Sequence, residues 1–247
     1  MSQSAYLNIM EKAAEKAAVR LVRDFGELEK LQVSRRGFNN FVTSADKNSE
    51  SKIIYELSRA RPEFSLLCEE SGFVERENKS SVWIVDPIDG TSNFMRGIPH
   101  FAINIALRED DRITAGMTLD PMRGDCFKAE EGNGAFLGNR NRIRVSGRER
   151  MQESIVAMRN VSIEKESALI NSGAVVRNLG SVALDLAYLA AGKFDAVITN
   201  DVYLWDIASG LILIKEAGGF LEYTEKDEGK YDVVAASSLR LLNFIKK

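Results

Sequence analysis

The chain has 247 residues, 45% apolar and 28% charged, the balance of a folded globular protein and not of a disordered one. Its 33 basic and 36 acidic side chains leave a net charge of −3, so no general electrostatic pull toward nucleic acid or an anionic membrane is expected. Two cysteines and one histidine, His100, exclude a disulfide framework and any multi-histidine zinc site, so a hydrolase built on this chain must work with carboxylates.

No apolar run approaches the roughly 20 residues that span a bilayer. Residues 1–20 alternate Glu and Lys with Ala and lack the apolar core of a signal peptide, so a cytoplasmic location is expected. Ile9, Ala13, Ala17 and Leu21 recur at i, i+4 and predict a first helix, with Gly26 as its stop. Residues 41–46 lead into a second helix that carries Ile53, Ile54 and Leu57 on one face and ends before Pro62. Residues 64–67 and 82–85 read as strands, the second closed by Asp86-Pro87 because proline cannot donate to a ladder. Residues 101–107 read as a half-buried strand, and strand-like pieces at 113–119 and 126–129 suggest an antiparallel meander. After Arg150 the pattern alternates. Strands are expected at 155–158, 174–176, 194–199 and 220–223, and helices at 162–171, 182–191 and 206–217. The whole predicts an α/β protein: an α+β N-terminal lobe over 1–141 and an α/β C-terminal lobe over 142–247, sharing one site.

The densest chemistry lies in Trp83-Ile84-Val85-Asp86-Pro87-Ile88-Asp89-Gly90-Thr91-Ser92-Asn93-Phe94. A strand ends there and two carboxylates follow three residues apart. Gly90 permits a tight turn, and Thr91 suits the N-cap of a short helix. Strand ends that feed helix starts are where α/β folds place ligands, and N–H groups at a helix start attract phosphate oxygens. Asp86 and Asp89 can both grip a hard cation. Asp-Pro and Asp-Gly are also ordinary turn pairs, the alternative for this segment alone. Three other acidic places carry similar alternatives. Glu69 and Glu70 could be a solvated loop, Asp46 could complete a capping box with Thr43, and Asp206 could complement a helix dipole.

Together and in this order, these segments resemble the inositol monophosphatase family across almost the whole chain. Residues 83–94 resemble its signature W-I-x-D-P-[IL]-D-G-T-x-N-F. Glu69-Glu70-Ser71 resembles G-E-E-S, with Cys68 at the glycine. Trp205-Asp206-Ile207-Ala208-Ser209-Gly210, followed by Glu216-Ala217-Gly218-Gly219, resembles W-D-x-A-A-G…E-A-G-G. The resemblance implies a layered αβαβα sandwich of the inositol monophosphatase and fructose bisphosphatase type. It implies Mg²⁺-dependent hydrolysis of a phosphate monoester, first of all inositol 1-phosphate, by direct attack of a metal-activated water. Glu69, Asp86 and the Ile88 carbonyl would hold one Mg²⁺, and Asp86, Asp89 and Asp206 a second, with a third near Glu69. Glu69 and Thr91 would activate the water, and Asp46 would hydrogen-bond Thr91. Asp89, Gly90, Thr91, Ser181 and Asp206 would contact the substrate. Lithium sensitivity and a homodimer follow from the same resemblance, and His100 has no catalytic part in it.

Seven residues before the aspartate of the W-D motif, the family commonly carries a glutamate that binds substrate hydroxyls. Here that position is Thr199, followed by Asn200 and Asp201, with Asp201 the available substitute. Other sugar, polyol or nucleotide phosphates therefore compete with inositol: fructose bisphosphate, 3'-phosphoadenosine 5'-phosphate and histidinol phosphate. A haloacid-dehalogenase-type phosphatase would need its two aspartates two residues apart, not three with a proline between. A reading from another class is a transcription-associated binding protein. Arg140, Arg142, Arg144, Arg148 and Arg150 would then contact nucleic acid or RNA polymerase, a contact the net charge does not support; their alternation with Ile143 and Val145 also fits the solvated side of a strand.

Overall fold

The computed structural model describes residues 4–31 and 38–247, with the backbone alone at 29–31 and 38–43. Helix α1 (Ala5–Leu31) buries Met10, Ala13, Ala17 and Leu21. It runs through Gly26 instead of stopping there. A glycine inside a helix costs only about 1 kcal/mol, and Leu28 beyond it is buried. Helix α2 (Phe38–Ala60) starts earlier than the pattern suggested, so Asp46 sits in its third turn and not at a helix start. Asp46 therefore belongs to no N-terminal capping box; the Thr43 side chain lies outside the described residues.

The first sheet contains β1 (Phe64–Cys68), β2 (Gly72–Val74), β3 (Asn78–Asp89), β4 (Ala102–Glu109), β5 (Arg112–Asp120), β6 (Asp125–Glu130), β7 (Gly134–Leu137) and β8 (Asn141–Ile143). Its spatial order is β2-β1-β3-β4-β5-β6-β7-β8, an antiparallel meander from β3 onward with β1 parallel to β3. The second sheet contains β9 (Ile155–Arg159), β10 (Val175–Arg177), β11 (Ala196–Tyr203), β12 (Phe220–Glu225) and β13 (Lys230–Ala236), in the order β10-β9-β11-β13-β12. Helix α3 (Thr91–Met95) follows β3; α4 (Ile163–Asn171), α5 (Val182–Ala190), α6 (Leu204–Glu216) and α7 (Leu239–Ile245) belong to the second half.

Five layers result. Residues of α1 and α2 form one core with Leu66, Trp83, Ile103, Ile105 and Met117 of the first sheet. Residues of α5 and α6 fill the space between the sheets, against Phe127 and Ala129 on one side and Ala157, Val197 and Val233 on the other. Leu169 of α4 and Leu241 and Leu242 of α7 cover the outer face of the second sheet with Val156 and Ile198. The αβαβα expectation holds. Strand β4 is covered on both faces, not half-buried: the small residues alternating with its large ones let α6 pack close, with Ala106 against Ala208. No helix among the described residues is long and apolar enough to cross a membrane.

One irregularity positions the site. Strand β3 continues through Pro87, where the sequence suggested an end. Asp86 pairs with Asn104 and Asp89 with Ala102, so Pro87 and Ile88 together oppose Ile103. This is a β-bulge, where an unpaired residue needs no ladder donor and proline fits.

Candidate active site

The bulge turns two carboxylates toward the opening of α6. Asp86, Asp89 and Asp206 each offer an oxygen, and these oxygens lie within 4.8 Å of one another. Each is fixed by its own hydrogen bonds. Asp86 Oδ1 accepts from the Ile88 N–H at 3.0 Å. Asp89 Oδ2 accepts from the Ser181 hydroxyl, at the N-cap of α5, and from the Ala183 N–H at 2.9 Å. Asp206, in the first turn of α6, accepts from the Tyr203 N–H at 2.8 Å, the reach-back half of a capping box. Glu69 lies in the turn between β1 and β2, open to solvent, with its carboxyl acting on that of Asp86.

The acidic groups outnumber the cation that acts on them, Arg159. Burial first, then Glu69, Asp89 and Asp206, hold the Asp86 carboxyl well above the usual aspartate range. Burial also raises Asp89, against the opposing pull of the Ser181 and Ala183 hydrogen bonds and of Arg159. Asp206 is pushed up to about 7, chiefly by burial and then by Asp89. Asp46 is pushed up to about 7 by burial and by Glu69, Glu70 and Glu50, which places α2 against the same pocket. Two carboxylates at such separations repel by about 3.5 kcal/mol per pair at an effective dielectric near 20. Oxygen-only donors under mutual repulsion suit a hard divalent cation, and these residues fit one.

Several expected contacts take a different form. Gly90, with φ +95°, is the N-cap of α3, and Thr91 is its first residue. The Thr91 hydroxyl donates to the Ile88 carbonyl at 2.9 Å, and Asp46 Oδ1 is buried without a hydrogen-bond partner. A Cβ at Gly90 would come within 3.2 Å of the His100 carbonyl and 3.3 Å of the Gly180 carbonyl, so the turn needs glycine for space as well as for backbone angle. Ser181 is fully buried, and its hydroxyl is engaged by Asp89 and the Leu184 N–H. Asp201 forms an ion pair with Lys226 at 3.0 Å on the exposed side of β11. Of the arginine run, Arg148 pairs with Asp195 and Arg150 with Glu153, while Arg140, Arg142 and Arg144 are exposed.

Four supporting residues were not singled out for a role in the sequence. Asn104 donates to the Trp205 and Asp206 carbonyls at 2.6 and 3.2 Å. Its oxygen accepts from Thr118 at 2.9 Å and from Ser209. Two carbonyls can only accept, which fixes the orientation of the amide. Asn104 thereby ties the first turn of α6, and Asp206 with it, to β4. Ser209 stands where the W-D-x-A-A-G motif has alanine, and its hydroxyl completes this network. Glu50 of α2 accepts from the Glu70 N–H at 2.8 Å and from the Ser71 hydroxyl, so it holds the turn that presents Glu69. Asn93 donates to the His100 and Leu179 carbonyls, both at 2.7 Å, and so clamps the start of α5 to α3.

A sequence profile of the inositol monophosphatase family matches residues 2–244. An inositol-1-monophosphatase of Caulobacter vibrioides is 44% identical over 244 residues, 95% of this chain and 94% of that one. The Nus factor SuhB of Xylella fastidiosa is 34% identical over 250 residues, 97% and 90% of the two chains. A solved structure, the extragenic suppressor protein suhB from Bartonella henselae, matches with a TM-score of 0.87 at 38% identity and covers 99% of this chain and 100% of its own. Fold and site thus define a phosphoric monoester hydrolase with a cluster of aspartates able to hold a metal. The chain belongs to the inositol monophosphatase family.

Proposed function

We propose that the chain is a Mg²⁺-dependent phosphatase of small phosphorylated polyols or sugars, with inositol 1-phosphate the first substrate to test. The observation that carries this reading is the convergence of Asp86, Asp89 and Asp206 from both halves of the fold within 4.8 Å. Asp86, Asp89 and Asp206 would hold one Mg²⁺, and Glu69, Asp86 and the Ile88 carbonyl another. When bound, the ions would supply positive charge against the phosphate and lower the pKa of water.

The chain's own groups supply the rest. The N–H groups of Thr91 and Ser92, ahead of the first turn bond from Asn93 to the Gly90 carbonyl, would orient phosphate oxygens. The Thr91 hydroxyl, its proton committed to the Ile88 carbonyl, presents lone pairs to the attacking water. Glu69, open to solvent beside Asp86, accepts the proton that the water loses. Ser181 and the Ala183 N–H hold Asp89 in place. Both cysteines are buried and unpaired, which suits the reducing cytoplasm.

The test is hydrolysis of inositol 1-phosphate by protein stripped with a chelator and then resupplied with Mg²⁺. Release of phosphate should vanish on stripping and return with Mg²⁺. An equal rate in the chelator would overturn the metal-dependent reading.

A further inference from the structure

A second group of polar side chains lies beside Asp89, on the side of α5. Arg159, the last residue of β9, and Thr199, midway along β11, are the final register partners of these parallel strands. Two residues earlier on each strand, Ala157 and Val197 pack in the core with Val182 and Leu186 of α5. Their neighbours Met158 and Ile198 pack on the opposite face. Side chains alternate along a strand, so Arg159 and Thr199 face α5. The charge of Arg159 acts on Asp89, Asp206 and Asp185 of α5 alike, which places its guanidinium at the edge of the carboxylate site. The residues that follow lock the two strands together: Asn160 Nδ2 donates to the Asn200 carbonyl and Asn200 Nδ2 to the Asn160 carbonyl, each at 3.0 Å.

This corner is polar and unsatisfied. Thr199 Oγ1 and Asp185 Oδ1 are buried with no hydrogen-bond partner, their residues 1% and 3% exposed. Arg159 is half-buried, and among the described residues its guanidinium forms no ion pair. Buried polar groups are nearly always paired, so a hydroxyl and a five-donor fork left open beside a reaction site mark a place for a ligand. Burial, then Asp89, raises the Asp185 carboxyl above the ordinary aspartate range, against the opposing pull of Arg159. A guanidinium binds phosphate and carboxylate by charge-assisted, two-pronged hydrogen bonds, and gains less from a neutral hydroxyl.

We propose that Arg159 and Thr199 form a second anion subsite, which selects phosphate monoesters whose alcohol half carries a further phosphate or carboxylate. The inference rests on the phosphatase reading above and names the substrate class for that site. Glycerol 2-phosphate and inositol 1-phosphate serve as esters of uncharged alcohols. Fructose 1,6-bisphosphate, adenosine 3',5'-bisphosphate and 3-phosphoglycerate serve as the anionic class, and separate sugar, nucleotide and carboxylate sources.

For the wild type, kcat/KM for at least one anionic ester should exceed that for the uncharged ones by about tenfold or more, the scale of one charge-assisted contact. Arg159→Gln should abolish most of that ratio through KM, Thr199→Val should lower it in the same direction, and Arg159→Lys should retain part of it. A wild type that favours the uncharged esters, or an Arg159→Gln ratio within about threefold of the wild type (less than 1 kcal/mol), overturns the subsite. A wild type inactive on every ester with Mg²⁺ present overturns the phosphatase reading itself and the subsite with it.

Discussion

Replacing Asn104 by leucine removes an amide of similar size that joins β4 to α6. Asn104 is 1% exposed and donates to the Trp205 and Asp206 carbonyls while accepting from Thr118 and Ser209. At a net value of about 1 kcal/mol for each bond, the loss approaches roughly 4 kcal/mol. With Asn104 gone, one of the two hydroxyl protons it accepted is free to form a bond between Thr118 and Ser209, which lie 2.6 Å apart. That bond offsets about 1 kcal/mol, leaving a destabilisation of roughly 3 kcal/mol. In a chain of this size that lowers Tm by roughly 6–12 °C. The first turn of α6 also loses its tether, so Asp206 is less well placed and more Mg²⁺ is needed for half-maximal activity. Ser209→Ala is the control, because it cuts the same network and spares both carbonyl contacts. Circular dichroism melts, paired with Mg²⁺ titrations of phosphate release, read both effects. A leucine variant that melts within about 2 °C of the wild type, with unchanged Mg²⁺ half-saturation, would refute this account of how Asp206 is held.

Asp86→Asn should lower turnover by roughly a thousandfold, the scale of losing one electrostatic anchor of a transition state. The same variant should melt higher than wild type when metal is absent, because asparagine has no carboxyl whose ionisation the buried acidic site opposes; a lower metal-free Tm would contradict that strain. Gly90→Ala forces φ +95° on alanine and brings its Cβ within 3.2 Å of the His100 carbonyl, at a cost of about 1–3 kcal/mol. Its kcat should fall with the displaced Thr91, and wild-type kinetics would show that the turn tolerates a side chain. The metal-free protein should also lose stability as pH rises. Asp46 and Asp206 titrate at about 7 when folded, against a reference value of 3.8. Between these values the folded chain holds protons that the unfolded chain has released, so stability declines from about pH 4 to about pH 7 and levels above. Mg²⁺ should flatten the slope, since it replaces protons at Asp206; scanning fluorimetry across that range would expose a flat or rising metal-free profile if this is wrong.

The acidic site was legible because its residues lie in compact local patterns. Asp86 and Asp89 are joined by a turn, and Asp206 opens a helix with a strong apolar run behind it. What holds these side chains was hidden, because it depends on long-range partners. Asn104 and Ser209 are single polar residues inside apolar runs of β4 and α6. That pattern signals a buried hydrogen bond and could have drawn notice, but its partner cannot be read from one chain segment. Glu50 lies one helical turn after Asp46 and shares its face, a spacing that becomes informative only once α2 is known to begin at Phe38. That earlier start was missed although Phe38, Phe41, Val42 and Ala45 recur at i, i+3, i+4 and i+7, because the glycine and asparagines around them read as a polar loop. Strands β7 and β8 and helix α7 escaped because they are short, and β13, though seven residues long, takes its place from its pairing with β11 and β12 and not from local propensity.

Asp89 meets Ser181 across 92 residues of chain, and Asn104 meets the Asp206 backbone across 102. A nascent polypeptide leaving the ribosome can finish its meander long before the helices that anchor these groups have been made. Such a half-built molecule owns Asp86 and Asp89 but neither Asp206 nor the Ser181 and Ala183 donors that hold Asp89. The three-aspartate cluster is thus assembled only once α5 and α6 have docked on the finished meander.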